Sequence, residues 1–509
     1  MTIAVPPPAT KTGTASRWNS FLLTAFAVLS LAFVLPSARL WLQHPMTLTP
    51  FEFDYFLGAF RPRDLGLFLA ILQAGRVIHL VGFLVIGGLF AFFVRRLLEN
   101  PDAIPLPHVK VFSVVLAFVW SLGLPWVSPD VFVYIGTGWL DFHYRLSPYW
   151  HSMSEVPGFQ SEGMFRNVHP PFLEAFSGYG TIFQLGARAV ACASGGSEKL
   201  ALVIYKIINL VIHAGCSALV LRLAPPERRS ATLFFYACNP LILFSILTCA
   251  HNDHTMNLLV LAAFLMRKRG RPALAGLALA AAVSIKYVPI LLVPLFAVDL
   301  LFSPGPSSKR ARLLAMTSLT APFLVGAGIM QIAYPDSVRR LFFTVTRGIG
   351  GARESLHFVL PWMRALFPNA FMPDRTSLIV LFAALYMACL LVFAWRARRE
   401  GGFRLADAAV WVVLVYFLVL NETNQEWYLT WILGPLSLIS TRQALTFGIR
   451  LSWLFLPLVI FTVKNSMLVY IASNTMLYFL LLGLSAPLLY HLLRGTTTDD
   501  GARKTVAQA

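Results

Sequence analysis

The chain has 509 residues, 57% of them hydrophobic and only 13% charged, with a formal net charge of +18. Soluble domains carry about a quarter of charged residues, so this composition excludes an ordinary water-solvated fold. The basic excess does not point to nucleic acid, because Lys and Arg stand in short clusters between apolar runs of helix length, as in a positive-inside membrane protein.

The polar start through Arg17 runs into Phe21 to Leu40, which is too long for a signal peptide and lacks a convincing cleavage site. It is expected to be a first membrane helix with the amino terminus inside. An outer segment from Gln43 to about Arg76 follows, carrying Asp54, Arg61, Arg63 and Asp64 among aromatic residues. Val77 to Val94 returns to a cytoplasmic Arg95-Arg96. His108 to Trp126 then comes back out and delivers Ser128-Pro129-Asp130 to the outer face. Asp130 has two readings here: a lone carboxylate fit to act as a base, or part of a helix cap that Ser and Pro would favour.

From Asp130 to Lys199 the chain is rich in Pro, Gly, His and aromatics. Leu200 to Leu223 ends at a basic, cytoplasmic Glu227-Arg228-Arg229, so it must start outside. Pro170 to Cys192 is therefore expected to lie along the outer surface as juxtamembrane helices. Ala231 to Ala250 runs outward to His251-Asn252-Asp253-His254, where a cap at Asn252 or Asp253 competes with a binding role. The helix from Thr255 returns to Arg267-Lys268-Arg269-Gly270-Arg271. Pro272 to Phe302 is flanked by basic clusters at both ends, so it is expected to reverse within the membrane, with its apex at Lys286-Tyr287-Val288-Pro289. Lys286 there is either a functional cation or a snorkelling side chain.

After Leu313 to Ala333 a second outer loop, residues 334–375, carries Arg339, Arg340, Arg347, Arg353, Glu354 and His357. Arg339 and Arg340 look like headgroup contacts. Arg347 and Arg353, spaced by Gly348, Gly350 and Gly351, suit an anion-binding loop, although lipid contact explains them about as well. Ser377 to Trp395 returns inside, Ala406 to Leu420 goes out to Asn421 through Tyr428, and three further runs end in a cytoplasmic carboxyl terminus. The whole is one all-α polytopic membrane domain, residues 1–509, of about 12–14 transmembrane helices, with residues 128–199 as the first large outer loop. The five cysteines show no CxxC spacing and are taken as packing residues. No inverted hydropathy repeat and no phosphate-loop, dinucleotide or zinc-protease pattern is present in a plausible context.

In this topology Asp130, His251 to His254, Lys286, Arg347, Arg353, Glu422 and Glu426 share the outer side. A cluster of ionisable groups at membrane depth is by default a site. The order of short motifs resembles the GT-C superfamily of integral-membrane glycosyltransferases. The acidic residue after an early helix (Asp130), Pro148-Tyr149, His169-Pro170-Pro171, Asn239-Pro240, His251-Asn252-Asp253, Ile285-Lys286-Tyr287-Val288-Pro289 and Glu426-Trp427-Tyr428-Leu429-Thr430-Trp431 carry the resemblance. It covers Asp130 to about Trp431 and looks most like polyprenyl-phosphate-mannose-dependent mannosyltransferases. Two helices stand ahead of Asp130 beyond the arrangement in many relatives. The paired acidic pattern that some members use for metal is missing, so neither a metal nor another cofactor is expected.

The resemblance implies a monosaccharide, mannose by analogy, moved from a polyprenyl-phosphate carrier to a lipid- or glycan-linked acceptor on the outer face of a membrane, by analogy a bacterial inner membrane. Asp130 would be the base, with inversion at the anomeric carbon. Lys286, Arg347 and Arg353 would hold the donor phosphate, and Tyr134, Tyr149, His169, His251, Asn252, Asp253, His254, Glu426 and Trp427 are candidates for sugar or acceptor contact. Two rival classes remain: a flippase or transporter of polyprenyl-linked sugar, and a polymerase or ligase of surface polysaccharide.

Overall fold

A computed structural model of the protein describes residues 12–43, 65–125, 128, 130–302, 308–335, 338–339, 375–400, 402–420, 426–439, 441–462 and 481–490. Within them every regular element is helical. The expected polytopic helical architecture is found, and among the described residues five helical stretches, one of them the interrupted run Pro226–Thr248, are long and apolar enough to cross a membrane.

Helix α1 (Thr12–Gln43) packs on both α2 (Leu65–Glu99) and α3 (Leu106–Ser121). The segment from Leu65 to Arg76, expected to close an outer loop, is instead the first part of α2. Leu, Ala, Phe and Ile dominate it, and one Arg does not stop a helix built from strong helix formers. At 35 residues α2 is about 52 Å long and outruns a hydrocarbon core of about 30 Å.

Helix α4 (Asp130–Phe142) packs on α5 (Thr181–Ser194), with short turns such as Pro170–Leu173 between them. Helix α6 (Glu198–Leu223) starts at Ser197, whose hydroxyl accepts the Leu200 N–H. Next comes α7 (Arg229–Ala237). Hydropathy alone leads one to expect a single helix from Ala231 to Ala250, but the chain breaks at Cys238-Asn239. Pro240 has no N–H to give to a continuing helix, and the Asn239 side chain caps the restart by accepting the Leu241 N–H at 3.0 Å. A short helix, Pro240–Ile242, and a π-helical turn, Leu243–Thr248, follow. From Ser230 through Thr248 every residue is buried, packed against α2, α3 and α6, and this run forms the centre of the bundle.

Helix α8 (Asp253–Lys268) is antiparallel to α9 (Pro272–Val283) and packs closely on it. The chain then bends through Ser284 to Tyr287 and a 3-10 turn, Val288–Leu292, into α10 (Val293–Phe302). The expected reversal is visible in the ion pairs. Lys286 lies level with Asp253 at one end of α8, whereas Asp299 has returned to Arg267 at the other, 2.6 Å away. Gly276 allows α9 to lie directly on the backbone of Leu319 in α11 (Lys309–Ala333), where any Cβ would collide. Helices α12 (Arg375–Glu400), α13 (Leu405–Val419), α14 (Thr430–Ile439), α15 (Arg442–Thr462) and α16 (Leu481–Tyr490) complete the described bundle. Of the cysteines taken as packing residues, Cys216, Cys238, Cys249 and Cys389 are buried, but Cys192 is exposed near the end of α5.

Candidate active site

Asp130 is the first residue of α4. The cap reading would turn its carboxylate back on its own helix. Among the described residues it accepts no backbone N–H, and Ser128 instead receives the Asp130 N–H on its hydroxyl at 3.4 Å. The carboxylate faces His251, with Oδ2 3.6 Å from Nδ1, and its side chain is 16% exposed, more open than His251, Asp253 or Lys286. Burial pushes the Asp130 carboxyl up to about 6; Lys286 opposes that rise, Asp253 adds to it, and the Ser128 hydroxyl lowers it slightly.

Asp253 is the hub. Its Oδ1 accepts the Lys286 ammonium at 2.7 Å and the Trp431 indole N–H at 2.5 Å. The alternative for Lys286, snorkelling toward water, is not what it does: the side chain is 10% exposed, and its ammonium sits 4.7 Å from the Tyr428 ring centre and 5.4 Å from that of Trp431, with Tyr179 at 6.0 Å. Asn252 occupies the N-cap position of α8 but does not cap with its side chain. Its Oδ1 accepts the Tyr134 hydroxyl at 3.2 Å. His251 is fully buried and stacks on Trp427 at 4.2 Å. Burial and the nearby Lys286 hold its pKa well below the ordinary histidine value, so the ring is neutral.

Five buried polar atoms in this group have no hydrogen-bond partner among the described residues: both His251 ring nitrogens, Asn252 Nδ2, Asp253 Oδ2 and Trp427 Nε1. Native interiors satisfy about nine in ten such atoms, so a local run of orphans needs a reason. Donors and acceptors arrayed beside a carboxylate, between aromatic faces, are what a sugar ring requires.

Two arrangements bring these segments together. Tyr179-Gly180 lies against the break after α9, where Gly180 N–H donates to Ile285 O and Phe183 N–H to Ser284 O, each at 3.2 Å. A Cβ on Gly180 would strike the Ser284 backbone, so only glycine admits this approach. The second is Lys206, buried in α6. Its ammonium donates to Gly123 O at 2.5 Å, to Leu247 O at 2.9 Å and to Thr248 O, while the Thr248 hydroxyl donates to Trp120 O at 2.8 Å. Lys206 thereby clamps the segment leading to Asp130 onto the π-helical turn leading to His251. Between that turn and His251, Ala250 takes a left-handed backbone, φ +58°, which costs a non-glycine residue about 1–3 kcal/mol and persists only where its surroundings enforce it.

Other expected site residues stand apart. His254, next to Asp253, turns away by the helical step and pairs with His213 at 3.0 Å inside the bundle. Tyr149 donates to the Tyr179 carbonyl at 2.9 Å and contacts Tyr334 edge-on, so it supports the Tyr179 loop from behind. His169 opens the Pro170–Leu173 turn and packs on Phe172. Glu426 begins the 3-10 turn Glu426–Leu429 that carries Trp427 and Tyr428. Arg347 and Arg353 lie outside the described residues.

Sequence reasoning left Tyr179, Tyr428, Trp431 and Lys206 off the site. Tyr428 and Trp431 stand i and i+3 in the late aromatic motif and so share a face. Lys206 had the plainest signal of all, a cation in mid-run of an apolar helix.

Comparison with protein families gives two matches. Residues 56–301 match the family described as alpha-(1->6)-mannopyranosyltransferase, N-terminal domain, and residues 186–420 match glycosyltransferase family 87. The chain is a glycosyltransferase, and its matches are similar to GT-C-like mannosyltransferases. Neither the curated proteins nor the solved structures compared with the glycosyltransferase include a match. The two matched stretches overlap from residue 186 to residue 301, the interval that contributes Lys206, His251, Asn252, Asp253 and Lys286 to the candidate site of the glycosyltransferase.

Proposed function

We propose that this glycosyltransferase moves one monosaccharide, mannose, from a polyprenyl-phosphate carrier to a hydroxyl of a lipid- or glycan-linked acceptor at the outer face of a bacterial cell membrane, with both termini cytoplasmic. The observation that carries the reading is the convergence of Asp130, Asp253-bound Lys286 and five unpartnered buried polar atoms between aromatic rings.

In the proposed reaction the acceptor oxygen attacks the anomeric carbon, its proton passes to Asp130, and the bond from that carbon to the phosphate oxygen breaks. Polyprenyl phosphate leaves with the bonding pair. A phosphate departs as an anion, so no general acid is required; what it needs is positive charge. Lys286 supplies one cation but already serves Asp253, so a second is needed, and Arg347 and Arg353 are the candidates. A single displacement with the base opposite the leaving group inverts the anomeric centre, as in inverting glycosidases. The neutral ring of His251 and the amide of Asn252 would take sugar hydroxyls, with Trp427 backing His251.

The test is transfer from radiolabelled polyprenyl-phosphate mannose by the purified enzyme with chelator present, beside Asp130→Asn. Label joined covalently to acceptor by the wild type, and lost in Asp130→Asn with donor binding retained, supports the reading. Full transfer by the variant would remove Asp130 from the chemistry. Label that crosses vesicles without joining an acceptor would make the protein a flippase, and use of only pyrophosphate-linked oligosaccharide would make it a polymerase.

A further inference from the structure

A groove of about 1100 Å³ opens between α1, α2, α15 and α16, well away from Asp130. Its wall on α2 runs through Leu84, Gly88, Phe92 and Arg95, with Arg96 beside them; Arg450 and Trp453 of α15 face them, and the one carboxylate lining it, Glu99, lies 3.6 Å from Arg442. Three guanidinium groups thus line a slot whose other walls, apart from Asn19 and Glu99, are apolar. Arg95, Arg96 and Arg450 form no ion pair among the described residues.

Length and depth say what fits. From Leu84 to Arg95 the lining face of α2 rises about 16 Å, half of a hydrocarbon core of about 30 Å. The slot is therefore one leaflet deep, apolar inward and cationic toward the membrane surface. Gly88 gives it width, since a Cβ there would meet nothing within 4 Å. Helix α3 separates the basic end of α2 from the segment that leads to Asp130, and its 16 residues cover about 24 Å, so the slot lies on the opposite side of the membrane from the candidate active site. Arg95-Arg96 closes an apolar run as cytoplasmic flanks do, and the cytoplasmic leaflet is the anionic one.

We infer that the groove binds one anionic phospholipid of the cytoplasmic leaflet, its phosphate held by Arg95, Arg96 and Arg450 and one acyl chain lying along Leu84, Gly88 and Phe92 against Trp453. A chain one leaflet long matches an acyl tail and falls short of a polyprenyl tail, which separates this site from the donor site. The inference does not depend on the transferase reading.

Delipidated full-length protein in neutral detergent would be titrated with phosphatidylglycerol and with phosphatidylcholine of the same chains, followed by native mass spectrometry and thermal unfolding. Expected is one phosphatidylglycerol per chain, bound in preference to phosphatidylcholine, and weakened about twenty-five-fold in Arg95→Gln/Arg450→Gln, since each basic residue at an anionic surface contributes about fivefold. Gly88→Leu, which has open space before it and improves helix propensity, should fold, retain sugar transfer and lose the lipid. Equal binding of both lipids, unchanged affinity in both variants, the same stabilisation by inorganic phosphate alone, or displacement of phosphatidylglycerol by equimolar polyprenyl phosphate would each overturn the assignment.

Discussion

At the scale of single residues, Asp130 and Lys286 separate chemistry from support. In the proposed role of base, Asp130, with its carboxyl pushed up to about 6 by burial, works only when ionised, so transfer should be lost as pH falls through that value and level off above it. Initial rates from pH 5 to 8 check this, the limbs being set about one unit to either side of the titration. Asp130→Asn should lower the rate by about 10²–10⁴ without weakening donor binding. Breaking the buried pair with Lys286→Met or Asp253→Asn alone should cost about 3–5 kcal/mol in stability, because each leaves an uncompensated partner in a closed site. The double variant should recover most of that loss in thermal unfolding and remain inactive. Lys286→Arg should restore transfer only in part, because a planar fork cannot replace a point charge beside Asp253. Asp130 and Lys286 were readable as candidates because an ionisable residue beside an apolar run is conspicuous. Their pairing was not: Asp253, itself a candidate, meets Lys286 together with Trp431 and Tyr428 only once α8, the break after α9 and the segment entering α14 are packed.

At the scale of elements, the site depends on how three backbone interruptions are held. The break after Val283 presents Lys286, the π-helical turn ending at Thr248 presents His251, and the segment after Ser121 presents Asp130. Lys206 binds carbonyls of the latter two. Lys206→Met leaves three buried carbonyls unsatisfied, at about 1–3 kcal/mol each, and should lower the unfolding temperature measured by intrinsic fluorescence. Because it also frees the Asp130 and His251 segments from each other, residual activity should lose its pH limb near 6, which a purely structural defect would leave in place. Gly180→Ala should reduce transfer while leaving α5 intact, since the added methyl meets the Ser284 backbone and lifts Tyr179 from Lys286. The sequence reading ran one helix through Asn239-Pro240 although a proline there lacks the N–H to continue it, and nothing in the sequence signalled that the restart would be π-helical, with Ala250 left-handed behind it.

At the scale of the whole molecule, the arrangement of charge predicts which face is which. Cys192, exposed near the end of α5 in the stretch expected to lie outside, should react with a membrane-impermeant maleimide in intact cells. In a Cys192→Ser background, Arg269→Cys at the end of α8 should label only after permeabilisation. Labelling in the reverse pattern would place the Asp130 group on the cytoplasmic side and refute an outer-face transferase. The same experiment locates the Arg95, Arg96 and Arg450 groove, which lies across the bundle from Asp130.

What the sequence by itself determined is the class of molecule and its route: apolar runs of helix length, basic flanks and a proline break specify a polytopic helical protein that reverses at Lys286, because helix length and charge placement are local properties. Motif order also carried the resemblance to membrane glycosyltransferases. The tertiary structure alone decided which of the outward polar residues form one group. His254 adjoins Asp253 in the chain and turns away from it, whereas Lys286, Trp431 and Tyr134 come from distant segments and meet at Asp253 and Asn252. Direction around a helix axis and the close approach that Gly180 permits are set by packing, and packing partners far apart in sequence leave no local trace.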